Sequence, residues 1–124
     1  MYRMVLPSPI PGELVELIAR RFRLLAEPTR IRLFDRLREG EATVHQLADE
    51  LESSPQNVSK HLTLLAGASV LARRKDRNCV YYRIADTDAL ALCEQACGSV
   101  KRHLLDLAGL VQAPAAVQPE RSFR

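Results

Sequence analysis

The spacing of apolar residues along the chain predicts five helices and one β-hairpin. From Gly12 to about Ala26, Val15, Ile18, Phe22 and Leu25 recur three and four apart, the pattern of an amphipathic first helix. Glu27-Pro28 ends it. Proline lacks the amide hydrogen a helix interior needs but suits a first helical position, so Pro28 opens a second helix with Ile31, Phe34 and Leu37 on one face and Gly40 as its stop. After the connection Glu41-Ala42, Thr43 can cap exposed amides and Gln46 can return the bond, which starts a third helix running to Leu51. Ser54 is a natural cap and Pro55 a natural first residue for a fourth helix, with Val58, Leu62 and Leu65 as its buried stripe.

Residues 70–75 (VLARRK) and 79–84 (CVYYRI) are strand-like, and Asp76-Arg77-Asn78 between them supplies turn chemistry. A last helix from about Asp86 to Leu110 carries Leu90, Cys93, Cys97, Val100, Leu104, Leu107 and Val111 at intervals of three and four, a seam that favours a partner helix. The segments flanking this domain, the proline-containing arm 1–11 and the tail 111–124, show little periodicity; the arm is expected to be irregular and the tail disordered.

The 124 residues make one domain, 12–110. With 5% aromatic residues and no Trp, packing falls to aliphatic side chains and no aromatic ligand cage is expected. No run approaches the roughly 18 apolar residues of a membrane span, and Met1–Pro11 lacks the pattern of a secretory signal, so a cytoplasmic protein with no membrane partner is expected. Three cysteines are too few for a disulfide framework. The net charge is only +3, but Ser54–Arg83 holds six basic residues and one acid, leaving −2 for the rest of the chain. Such a segment suggests a face that meets a polyanion.

Two short helices across a tight turn, followed by a basic hairpin, offer one element to the major groove and another to the flanking backbone or minor groove. The expected fold is therefore mainly α with a small β-hairpin wing: a winged helix-turn-helix. With its apolar stripe inward, the fourth helix presents Gln56, Asn57, Ser59, Lys60 and Thr63, residue types that pair with base edges or phosphate. Ser54 lies at its start, where amides can meet a phosphate. Arg73, Arg74, Lys75 and Arg77 are the orienting cations. His61 sits between the polar surface and the core, and a DNA contact and a structural role are equally open to it. One reading helix offers too few contacts for affinity and selectivity together, so twofold pairing is expected, with strong salt dependence. No nucleophile–base spacing, glycine-rich phosphate loop or carboxylate pair points to an enzyme.

These stretches also resemble the ArsR/SmtB-like winged-helix transcriptional repressors over about Leu14–Leu107. The resemblance is carried by FRLLAEPTRIRLFDRL (22–37), VHQLADEL (44–51), PQNVSKHLTLL (55–65) and the hairpin end VYYRI. It implies a homodimer, paired through the first and last helices, that binds a roughly palindromic double-stranded operator and leaves it when an inducer, often a metal or metalloid ion, binds. It also assigns DNA reading to Ser54–Ala66 and the wing to Arg73–Arg83. Two positions depart from the family: Ser69 and Arg77 stand where glycine is frequent, and Arg77 requires a turn that avoids strain at arginine.

The family's cysteine pair at the start of the third helix is absent, its positions being Thr43 and His45. Its site on the last helix is matched by Asp86 and in part Asp88, with Ser99 and Arg102 at later ligand positions. What remains is Cys79, Cys93 and Cys97. Cys93 and Cys97, four apart on a helix, can grasp one soft ion such as arsenite or cadmium, with Cys79 or a cysteine across the dimer seam as third ligand. Inert packing and a thiol redox or persulfide switch are the competing readings of these residues, and His103 with Asp106 reads as a solvated pair. The function expected is a homodimeric repressor released by a thiol-reactive inducer, with no cofactor required for folding. A constitutive winged-helix regulator and a protein-interaction module are the alternatives.

Overall fold

In a computed structural model that describes residues 6–112, the elements follow as α1 (Gly12–Leu25), α2 (Pro28–Leu37), β1 (Ala42–Thr43), α3 (Val44–Leu51), α4 (Pro55–Gly67), β2 (Leu71–Asp76), β3 (Cys79–Ile84) and α5 (Thr87–Gln112). Arm residues 1–5 and tail residues 113–124 lie outside the described part, so the expected tail disorder is not addressed by it. The chain divides into two compact units, Met1–Leu90 and Ala91–Arg124.

The expected caps form as the residue types dictate. Thr43 Oγ1 accepts from Gln46 N at 3.2 Å while Gln46 Oε1 accepts from Thr43 N at 2.8 Å, a reciprocal capping box. Ser54 Oγ accepts from Asn57 N at 3.1 Å at the start of α4, and Pro55 occupies its first turn. Glu27 caps α2 through Arg30 N at 3.1 Å. The last helix begins one residue later than the pattern suggested, because Asp86 serves as its cap: Oδ1 accepts from Asp88 N and Ala89 N at 3.0 and 3.3 Å. It also runs two residues further, to Gln112.

The core of the first unit is aliphatic around two rings, Phe34 and Tyr82. Leu33, Phe34, Leu47, Val58, Leu62, Leu65 and Val70 are fully buried. Val58, Leu62 and Leu65 form the expected stripe of α4. On α2 the inward face differs from the expected one: Leu33, Phe34 and Leu37 are buried while Ile31 is exposed, since the core approaches that helix from the Leu33 side. On α1 only Leu25 is buried, and Val15, Leu17 and Phe22 face outward.

Glu41-Ala42 was expected to be a plain connection. Instead Ala42 and Thr43 form a two-residue strand, with Ala42 opposite Tyr82 and Thr43 opposite Tyr81, so the sheet order is β1-β3-β2. Two residues are too few to show an alternating pattern. The hairpin is also tighter than the sequence suggested. Asp76 joins β2 opposite Cys79, leaving Arg77-Asn78 as the turn, and Val70 O accepts from Ala85 N and Asp86 N at 3.0 and 3.1 Å to close the base.

The two departures from glycine both fall on left-handed backbone: φ is 63° at Ser69 and 60° at Arg77. Arg77 thus does not avoid the strained region, because a two-residue reversal at this register needs a positive φ there. A Cβ in this conformation crowds the following carbonyl, at roughly 1–2 kcal/mol per residue. Ser69→Gly is therefore expected to raise the unfolding free energy by about 1 kcal/mol, read from the urea midpoint at unchanged slope.

Candidate nucleic-acid interface

The turn between α3 and α4 sets how α4 is presented. Glu52 ends α3 in the left-handed conformation (φ 53°), Ser53 N bonds back to Ala48 O at 3.0 Å, and the chain re-enters helix at Pro55. Burial of Val58, Leu62 and Leu65 then turns the opposite side of α4 to solvent. There Gln56, Lys60 and Thr63 are exposed and Ser59 is half-buried. These four line one shallow open depression with Val44 and Pro55. Amide, hydroxyl and ammonium groups beside apolar carbons can address both the polar edges of bases and a thymine methyl.

Three of the sequence-derived candidates have tasks inside the protein. Ser54 spends its lone pair as the α4 cap, and its hydroxyl hydrogen remains available to donate. Asn57 is half-buried, and its Nδ2 donates to Ser53 Oγ at 3.1 Å, so it braces the turn and is less free to read a base than Gln56. His61 is only 5% exposed, and its Nδ1 accepts from Arg30 Nε at 3.1 Å. That bond leaves the ring proton on Nε2, which lies 3.9 Å from Glu27 Oε1. Of the two roles open to His61, the geometry supports the structural one: it is enclosed because it continues the apolar side of α4, and Arg30 satisfies it.

Arg30 itself joins three elements. Besides His61 on α4 and its own place on α2, it donates through Nη1 to Leu24 O near the end of α1 at 2.8 Å. Partial burial works to raise the Glu27 carboxyl pKa, but hydrogen bonds from the Arg30 and Thr29 amides, together with the Arg30 charge, outweigh it and hold the group below its ordinary value. The sequence offered no signal for this link, whose partners lie 31 positions apart.

The wing divides its cations into two kinds. Arg73, Lys75 and Arg77 are exposed and make no ion pair among the described residues. Arg74 is engaged: Nε and Nη2 donate to Glu41 Oε2 and Oε1 at 2.9 and 2.6 Å, and its guanidinium lies 4.4 Å over the Tyr81 ring, its cross-strand neighbour. It is held by the body as a brace for the wing, not presented alone to a polyanion, because Glu41 precedes β1 and reaches across the sheet. Glu41 escaped the sequence reading for the same reason as Arg30. The bidentate bond from Arg74 is the main cause holding the Glu41 carboxyl below its usual value. Cys79 is exposed where β3 begins, Cys97 is exposed on α5 and Cys93 is half-buried there. Burial, followed by the Glu94 charge, pushes the Cys93 thiol pKa up.

A helix-turn-helix with an exposed polar helix face, followed by a cationic antiparallel wing, defines a winged-helix DNA-binding protein. Comparison with known proteins agrees. A helix-turn-helix domain family matches residues 25–74. The HTH-type transcriptional regulator KmtR of Mycobacterium tuberculosis is 31% identical over 117 residues, covering 89% of this chain and 90% of KmtR. Among solved structures, the AntR antimony-specific transcriptional repressor superposes with a TM-score of 0.72 at 28% identity, covering 84% of this chain and 99% of AntR. The homodimeric winged helix-turn-helix DNA-binding domain of Mb0332 from Mycobacterium bovis, a possible ArsR-family regulator, gives 0.68 at 27%, covering 82% and 94%. The chain belongs to the ArsR/SmtB family of winged-helix transcriptional regulators, DNA-binding proteins that are not enzymes.

Glu41 has a depressed pKa in the folded state, so its contribution to stability is present above its ordinary 4.5 and is lost as the pH falls through the folded value. Glu41→Gln should lower the melting temperature at pH 7, and its difference from wild type should close as the pH drops below 4.5. In a salt titration of duplex DNA binding, Lys75→Ala should reduce the slope by about 1.

Proposed function

We propose that this protein is a homodimeric repressor that reads its operator with two copies of α4 and is released when a soft metal or metalloid ion engages cysteine thiols. The observation that carries the DNA half is the shared depression of Gln56, Ser59, Lys60 and Thr63, with exposed Arg73, Lys75 and Arg77 on the following hairpin. In this reading Gln56, Lys60, Ser59 and Thr63 face base edges. Ser54 and the three wing cations hold phosphates, and Arg74 and Asn57 fix the geometry of the elements that carry them.

Pairing is supported by α5. Val100 and Leu104 are 56% and 58% exposed, with Leu107 and Leu110 also outward, an apolar row that a lone helix would leave in water. The homodimeric state of the Mb0332 domain favours the same assembly here. Pairing doubles the reading surface and places two α4 copies about one turn of duplex apart.

The inducer half rests on Cys93 and Cys97, one helical turn apart, and on similarity to a repressor specific for antimony, a soft thiophilic element. Among the described residues no three of His, Cys, Asp and Glu are grouped to hold a metal ion. The helix pair therefore supplies two donors, and in this reading the remaining donor is Cys79 of either protomer or a cysteine across the seam. The raised Cys93 pKa means that the ion must displace a proton to bind, which favours strongly thiophilic ions.

The test is fluorescence anisotropy with operator DNA, titrated with arsenite, cadmium, zinc and a persulfide donor. Arsenite or cadmium should release the wild-type protein, and Cys93→Ser or Cys97→Ser should abolish release while leaving DNA affinity intact. Release by the persulfide donor alone would replace the ion with a redox signal. No release by any of the four would leave a constitutive regulator without inducer chemistry.

A further inference from the structure

An open cleft of about 880 Å³ lies between α1, the start of α2 and the C-terminal half of α4, entirely within the first compact unit. This falls within the roughly 300–1,000 Å³ common for small-molecule sites. Its floor is apolar. Leu17 and Leu64 contribute side chains that are 55% and 45% exposed, beside half-buried Leu24. Its rim is cationic, with four arginines and no acidic residue in the lining.

Those arginines are not equivalent. Arg21 is spent on Asp86, 2.6 Å away, and Arg30 on Leu24 O and His61. The guanidiniums of Arg20 and Arg23 make no hydrogen bond or ion pair among the described residues. Two uncommitted guanidiniums beside uncovered leucines suit a ligand with an apolar body and an anionic head. The head satisfies the guanidinium forks, and the tail removes Leu17 and Leu64 from water. A small inorganic anion would leave the floor wet, and a neutral hydrocarbon would leave the arginines without a counter-charge.

We infer that this cleft is a binding site for a small amphiphilic carboxylate, an acyl chain with its carboxylate on Arg20 and Arg23 and its chain along Leu17, Leu24 and Leu64. The site is separate from the cysteines and adjoins the DNA-facing surface through Thr63, which lines both the cleft and the depression on α4. A ligand here would bear on the reading helix from its far end.

Isothermal titration of the full chain with sodium dodecanoate below its micelle concentration tests the assignment. One ligand per chain is expected, with affinity falling about tenfold or more in Arg20→Ala/Arg23→Ala, since a charge-assisted pair is lost. Both arginines are exposed, so the double variant should melt as wild type does, and butyrate should fail to bind for want of a tail. The inference is overturned if dodecanoate does not bind or if the double variant binds it equally well. Equal binding of dodecyltrimethylammonium would also overturn it, since the cleft would then be selecting only for an apolar tail. Failure to bind together with a shift of the double variant from dimer to monomer would make the cleft a seat for a second copy of the chain.

Discussion

The structure depends on burial of one stripe of α4. Val58, Leu62 and Leu65 are wholly removed from water, and each aliphatic side chain buried in this way is worth roughly 1.5–3 kcal/mol. Because a helix is rigid, this burial also dictates where Gln56, Lys60 and Thr63 point. Stability and presentation of the polar face are thus one constraint: rotating α4 to hide the reading residues would expose the core. Arg30 reinforces this from the side, since its bonds to His61 and Leu24 tie α4 to α1 through a polar link that would be costly to leave half-made.

The wing is organised on the same logic with charge in place of hydrophobic area. A short cationic hairpin repels itself and has little core of its own. Glu41 neutralises Arg74 at the base, Tyr81 lies under the guanidinium, and β1 supplies a third strand. Arg73, Lys75 and Arg77 stay outward and make no ion pair among the described residues. Left-handed backbone at Ser69 and Arg77 is the conformational cost of closing this hairpin without glycine.

Local chemistry was readable wherever one or two residues decide it. The capping box at Thr43 and Gln46, the Ser54-Pro55 helix start, the proline opening of α2 and the α4 stripe all came directly from residue type and spacing, because each is a contact between positions no more than four apart or a period of one helix. Errors arose where a partner from elsewhere intervened. Leu33 takes the inward place expected of Ile31, β1 exists only because β3 lies beside it, and Asp76 joins β2 because Cys79 stands opposite.

The candidate interface divides along the same line. The basic hairpin and the polar side of the fourth helix are properties of the amino-acid order, since charge content and periodicity need no knowledge of neighbours. Which members of that set stay available was settled by folding, through contacts 31 and 33 positions apart that enclose His61 against Arg30 and bind Arg74 to Glu41. The arginine-rimmed cleft belongs to the second category as well. Its residues lie on three helices and share no pattern in the chain, and only packing α1 against α2 and α4 gathers them around one apolar floor.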